Sequence, residues 1–159
     1  MTSDNDGRSD FDFHMRPARI HNRRLARRLE GCTEWGEFDA TGEAQTVVGG
    51  LGNIDFFHCQ DFPGGPIEGM SLRVFDPRTR LWSIFWLDDR CCALQPAVVG
   101  RFENGRGEFF GDDTFAGKPI LVRYIWSEIT GTSARWEQAF STDRGATWET
   151  NWIMSFQYE

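Results

Sequence analysis

Three ionisable side chains sit where rows of apolar residues at strand period would carry them toward a shared interior. His58 ends the row Ile54, Phe56, His58; Asp88 follows Trp82, Ile84 and Trp86 in phase; Arg123 lies between Leu121 and Ile125. A histidine, with an ordinary pKa near ~6.5, or an inward carboxylate could move a proton, and an inward guanidinium could steady developing negative charge. His58, Asp88 and Arg123 are therefore the candidate catalytic set. Each has a structural counterpart. His58 could be a rim histidine bonded to a backbone carbonyl, and Arg123 could pair with Asp88 or another acid, because an uncompensated buried charge is costly. The opposite face of the Arg123 segment, Val122, Tyr124 and Trp126, is equally apolar, so its phase stays open.

A pocket holding such groups needs walls. Seven tryptophans and fourteen phenylalanines are concentrated on the strand-like runs, and an aromatic lining suits a flat or hydrophobic ligand as well as it suits a packed core. The candidate binding residues are Trp82, Trp86, Trp136 and Trp152, with Gln138 and Thr150 as orienting polar groups. His14, closing the aromatic run Phe11-Asp12-Phe13-His14, joins them as part of a lid over one end. The pair Asp112-Asp113 has no evident third ligand nearby and reads as a solvated turn, so no metal is expected. Phosphate-binding glycine loops, the dinucleotide fingerprint, the G-x-S-x-G elbow, H-E-x-x-H and haem-attachment pairs are absent, and no cofactor is expected.

Composition narrows the partners. A net charge of −7 argues against general nucleic-acid binding. Six arginines between Arg16 and Arg28 run against that balance. They read as a solvated face paired to surplus carboxylates, the alternative being an arm for an anionic ligand or RNA. No apolar run is long enough to cross a bilayer and the polar, acidic start lacks the order of a secretory signal, so a cytoplasmic protein without a membrane partner is expected. Cys32, Cys59, Cys91 and Cys92 show no metal-ligand spacing and read as free thiols. Residues 1–10 read as a disordered tail and 11–159 as one domain, compatible with a homodimer.

The elements that would position these residues are short strands. From Glu34 onward the period is two, in runs near 34–40, 44–49, 53–59, 68–75, 81–87, 98–102, 107–110, 120–127, 134–140 and 147–156. Turn chemistry falls between them at Asp39-Ala40-Thr41-Gly42, Pro63-Gly64-Gly65-Pro66, Asn104-Gly105 and Ala116-Gly117. About ten strands without helical crossovers call for an antiparallel meander, and closing it removes exposed edges. The expected fold is all-β, an up-and-down barrel.

Two resemblances bear on this. The turn Ser141-Thr142-Asp143-Arg144-Gly145-Ala146-Thr147-Trp148 resembles the Asp-box, a device of shape and not of catalysis; occurring once, it does not imply a propeller. The patterns DFDFH from residue 10, NRRL at 22–25, FDP-x-T-x-x-W-S-I-x-W at 75–86, VGRF-x-x-G-x-G-x-F at 99–109 and RWEQAFS-x-D-x-G-x-TWE-x-NW at 135–152 look like an uncharacterised bacterial family of calycin-like barrels, kin in shape to lipocalins and fatty-acid-binding proteins. The resemblance implies a fold and no settled chemistry. It also implies that 18–25 is the first strand, although Leu25 and Leu29 at i, i+4 would suit a helix. Where that family has G-x-W, this chain has Arg16-Pro17-Ala18, a loss of volume at one barrel end.

Two functional expectations result. One is a cofactor-independent enzyme acting on a hydrophobic or aromatic metabolite by general acid/base chemistry, as a cyclase, isomerase or lyase (dehydration or decarboxylation), and the residues lean toward it. The other is a non-catalytic binder or carrier of a hydrophobic small molecule.

Overall fold

The computed structural model describes residues 5–159. Ten antiparallel strands close into one barrel in the order β1-β10-β9-β8-β7-β6-β5-β4-β3-β2. They are β1 Ala18–Leu25, β2 Trp35–Val47, β3 Gly52–Cys59, β4 Ile67–Asp76, β5 Leu81–Asp88, β6 Val98–Glu103, β7 Arg106–Phe115, β8 Lys118–Ser127, β9 Ser133–Ser141 and β10 Glu149–Tyr158. Every strand pairs with its chain neighbour, and β1 with β10 completes the ring. The architecture is compatible with a calycin-like fold. Among the described residues helix is limited to two three-residue 3₁₀ turns, Asp12–His14 and Val48–Gly50. Among the described residues no helix is long and apolar enough to cross a membrane.

Turn chemistry explains much of the meander. Asn104 and Gly105 (φ 53° and 75°) and Ala116 and Gly117 (φ 51° and 78°) supply the paired positive φ values of tight hairpin turns between β6 and β7 and between β7 and β8. The turn expected at 39–42 does not form. Gly42 instead continues β2 opposite Ala18 and Phe57, and Ile20 fills the space a side chain would need: a Cβ there would come within 3.0 Å of Ile20 Cδ1. Likewise Asp112 and Asp113 are not a turn. They pair with Leu121 and Ile120 inside β7 and β8, and the polar pair merely interrupts the apolar alternation there.

Barrel geometry sends alternate residues inward. On β1 these are Ala18, Ile20, Asn22 and Arg24, on β5 Trp82, Ile84 and Trp86, on β9 Trp136, Gln138 and Phe140. Trp152 and Asn22 join the last and first strands by a 2.9 Å bond from the indole Nε1 to Asn22 Oδ1. The outer face of β3 to β5 is itself apolar in part, with Phe56 and Val74 exposed and Ile54, Leu72 and Phe85 half-covered.

One end is plugged. The segment before β1 folds back, so Phe11 is buried with edge contacts to Trp82 and Phe102 at ring separations of 5.0 and 4.9 Å. Of the expected tail, residues 1–4 lie outside the described residues. The contacts of this end begin at Gly7, whose carbonyl accepts the Trp82 indole N–H at 3.2 Å. All four cysteines are free.

Candidate functional site

Above the plug a charged cluster is buried in the barrel. Arg73, inward on β4, donates from Nη1 to Asn53 Oδ1 at 2.9 Å and from Nη2 to Asp55 Oδ2 at 2.6 Å, with its guanidinium 4.9 Å from the Phe11 ring centre. Asp55 Oδ1 accepts the Ser71 amide at 3.1 Å. His14 Nε2 meets Asp55 Oδ2 at 3.1 Å and His14 Nδ1 meets Tyr158 Oη at 2.8 Å. An ionised carboxylate only accepts, so Nε2 carries the imidazole hydrogen and the Tyr158 hydroxyl donates to Nδ1.

Each protonation state has a cause. Burial would raise the Asp55 pKa, but Arg73 beside it and the hydrogen bonds from His14 and Arg73 outweigh this and hold the carboxyl below its usual range. Burial pushes His14 down, against its bond to Asp55, and the Arg73 charge helps, so the ring is neutral at pH 7. Burial raises the Tyr158 phenol. The cluster is an ion pair with a neutral histidine wedged into it, and of the Arg73 nitrogens Nε alone is buried without a partner.

Two chambers occupy the rest of the interior. An inner one of about 90 Å³ lies against Ala18, Ile20, Asp55, Trp126 and Phe156, with His14 at its floor. The small residue where the resemblance would place tryptophan borders this hollow. An outer chamber of about 400 Å³ reaches the open end, between Arg24, Phe140, Val122, Asp113 and Arg90. Trp86, Tyr124, Gln138 and Trp152 border both and form the waist between them. Trp86 can lie across the wall because β4 has glycine beneath it: a Cβ at Gly69 would come within 2.1 Å of Trp86 Cη2. Gln138 is held by donating Nε2 to Asn151 Oδ1 at 2.8 Å. Burial, then the nearby Asp113 charge, pushes the Tyr124 pKa up to about 12, so its hydroxyl keeps its proton.

Of the residues expected to line a pocket, His14, Trp86, Trp136, Gln138 and Trp152 do so. Trp82 points inward but belongs to the plug, packed on Phe11 and Phe75. Thr150 does not reach the cavity. A bulge between Thr150 and Trp152 breaks the alternation, leaving Thr150 opposite Ala139 and Trp152 opposite Gln138.

The expected catalytic set is not brought together. His58 faces outward, half-exposed, against Glu68. The row Ile54, Phe56, His58 is apolar because it belongs to the partly apolar outer face, while Asn53, Asp55 and Phe57 take the inner one. Arg123 also points outward and stacks on Trp148, 4.5 Å from the ring centre. Asp88 reaches the rim of the outer chamber, yet its oxygens are committed: Oδ2 accepts the Trp86 indole N–H at 2.9 Å and Oδ1 accepts the amides of Arg90 and Cys91, each at 2.9 Å.

Residues not anticipated fill the polar positions. Asn53, Asp55 and Arg73 were hidden because polar inward residues look like an outer face. Arg24 was hidden in the arginine run, although the alternation Ala18, Ile20, Asn22, Arg24 was there to be extended. In that run Arg23 and Arg27 approach Glu37 and Glu30 at 3.9 and 3.8 Å, as a solvated face should. Among the described residues Arg24 and Arg28 form no ion pair.

The Asp-box turn is a staple outside the barrel. Asp143 Oδ1 accepts the Ser141 hydroxyl at 2.7 Å and the Thr147 amide at 2.8 Å, and Ser141 Oγ accepts the Gly145 amide at 2.8 Å. Gly145 has φ of 90°, which suits glycine. The Thr147 hydroxyl, then the Thr147 amide and Ser141, hold the Asp143 pKa down to about 2. Among the described residues no cluster of three metal-ligating side chains occurs. No family model matches the chain, and no curated protein matches it significantly.

Proposed function

We propose that the protein binds a hydrophobic or aromatic small molecule inside its barrel, with the outer chamber as the seat. The observation that carries this reading is the hollow of about 400 Å³ walled by Trp86, Tyr124, Phe140 and Trp152 and open at one end. An eight-stranded barrel has an interior its own side chains can fill, and ten strands widen it. The waist offers ring faces and edges, with Gln138 as a fixed polar group beside them. Kinship with the bacterial calycin-like family, suggested by the strand and turn patterns, remains part of this proposal, as do a cytoplasmic location and a homodimeric state.

Binding is favoured over catalysis by the state of the ionisable groups. His14 has both ring nitrogens engaged and no free lone pair for a substrate. Asp55 and Asp88 are committed to other donors. Acid/base chemistry such as isomerisation or dehydration would fall to Tyr124 and Asp113 on the outer chamber, and a phenol with its pKa near 12 is a weak acid at neutral pH.

The test is a titration with N-phenyl-1-naphthylamine, a neutral fluorescent aromatic, against the native protein and Val122→Phe, which adds bulk to the outer chamber. Saturable binding, weakened about tenfold or more in the variant with an unchanged circular-dichroism spectrum, is expected. Binding equal in both proteins, or none in the native one, overturns the reading.

A further inference from the structure

The open end carries three guanidinium groups from three segments. Arg24 is the last inward residue of β1, Arg28 lies in the β1–β2 loop and Arg90 in the β5–β6 loop. All three border the outer chamber. They are arranged around rings: Arg24 sits 5.0 Å from the ring centres of both Phe62 and Trp152, Arg90 sits 4.8 Å from Phe62, and Arg28 sits 5.3 Å from Phe115. Stacking on a ring satisfies a guanidinium face and leaves its N–H edge directed elsewhere. Arg90 gives that edge to the carbonyls of Pro63 and Gly65, at 3.2 and 2.6 Å. Among the described residues Arg24 Nε and Arg28 Nη1 are buried without a partner, as are Arg73 Nε and Arg123 Nε; what sets the mouth arginines apart is that they border the outer chamber.

The arginines repel one another. Burial first, then Arg28 and Arg90, pushes the Arg24 pKa down to about 10, so it is still charged at pH 7. The acids nearby do not neutralise it. Glu149 accepts the Leu29 amide at 2.7 Å and its charge favours Arg28 from beyond ion-pair distance, burial being the larger influence there; Asp88 is taken by Trp86 and the loop amides, and Asp112 and Asp113 lie on β7; among the described residues none forms an ion pair with Arg24, Arg28 or Arg90. A half-buried cation group without a carboxylate is costly, and a folded chain that keeps one leaves a place for an anion.

Resting on the small-molecule reading above, we propose that the ligand is an aromatic carboxylate. Its ring body lies on Trp86, Trp152 and Phe140, and its carboxylate takes the free N–H edges of Arg24 and Arg28, with Arg90 adding charge. A planar two-oxygen acceptor matches the fork a stacked guanidinium presents.

The experiment is calorimetric titration of the native protein, Arg24→Gln and Arg28→Gln with 2-naphthylacetate and with its neutral counterpart 2-(2-naphthyl)ethanol, at low and at moderate salt. The carboxylate is expected to bind the native protein about tenfold or more tighter than the alcohol, to lose that advantage in either variant, and to weaken with salt. The alcohol should bind all three proteins alike. Equal or tighter binding of the alcohol to the native protein overturns the carboxylate inference and leaves the small-molecule reading intact. So does carboxylate affinity unchanged in both variants. If neither compound binds while N-phenyl-1-naphthylamine does, the inference fails alone; if none of the three binds, both readings fail.

Discussion

At the closed end Arg73 gives two of its nitrogens to Asn53 and Asp55, whereas at the open end Arg24 lies between Phe62 and Trp152 and, among the described residues, forms no ion pair. The residue type is the same and the surroundings are equally aromatic. The difference lies in the partner. Where the chain supplies its own anion the charge serves the fold, and removing either member leaves the other buried alone. Where the guanidinium forms no ion pair, the charge costs stability that the proposed anionic ligand would offset. Two inward arginines, one against each chamber, thus separate into a structural pair and a candidate recognition site.

The largest effect should come from breaking the closed end. Arg73→Ala is expected to cost about 3 to 5 kcal/mol in urea unfolding, because it strands the Asp55 carboxylate and empties space beside Phe11. Arg24→Ala should change stability by no more than about 1 kcal/mol, in either direction. Comparable losses for both variants would erase the distinction between the ends. Next in size, Gly69→Ala should displace Trp86 at the waist, costing about 1 to 3 kcal/mol and shifting tryptophan emission. An unchanged spectrum and melting curve would mean that Trp86 does not need the space over β4.

A smaller effect concerns pH. His14 has a folded pKa below its unfolded value near ~6.5, so the unfolded chain binds more protons and stability falls as pH drops below that value. The slope it can add is at most about 1.4 kcal/mol per pH unit. His21 opposes it: hydrogen bonds to Asp39 and Glu37 raise its pKa, and its contribution is lost as pH rises. The expected signature is therefore a difference, with His14→Gln flattening the stability profile below about pH 6.5 relative to the native protein. A parallel profile would show that His14 is protonated in place. Smallest of all, Asp143→Ala should lower the Tm slightly and leave aromatic binding at the open end unchanged, since the Asp-box lies outside the barrel. Its depressed pKa adds stability above the usual carboxylate range that disappears as pH falls toward about 2.

How far these features could be read from the sequence depended on whether polarity and direction agreed. On β5 and β9 they did: Trp82, Ile84, Trp86 and Trp136, Gln138, Phe140 face inward as alternation predicts. Positive-φ turns at Asn104-Gly105 and Ala116-Gly117 are local chemistry and were legible for that reason. On β3 polarity and direction were opposed. An interior that holds a charged cluster makes Asn53 and Asp55 look solvent-facing, and an outer face rich in Ile54 and Phe56 looks like core, so His58 was assigned to the wrong side. Arg123 was open in phase and is fixed by stacking 4.5 Å from the ring centre of Trp148, a contact 25 positions along the chain that no local pattern reveals. The Thr150 assignment failed through one inserted residue, Asn151, which no periodicity announces. The mouth arginines were visible as a run, but their separation into paired and unpaired members depends on which strand face and which loop each occupies.

The pairing of β1 with β10 has a consequence for how the barrel comes to exist. Asn22 and the indole that bonds to it are 130 positions apart, so the seam between first and last strands is among the most distant contacts in the chain. Emerging from the ribosome, β1 through β9 can form hairpin by hairpin, yet β1 retains one unsatisfied edge until residues 149–158 are free to dock. During that interval the nascent sheet is open on both sides, its future interior wet and its aromatic waist exposed. Docking of the final strand is the step that makes an inside, and a pause in synthesis before it prolongs the stage most prone to pairing with another chain.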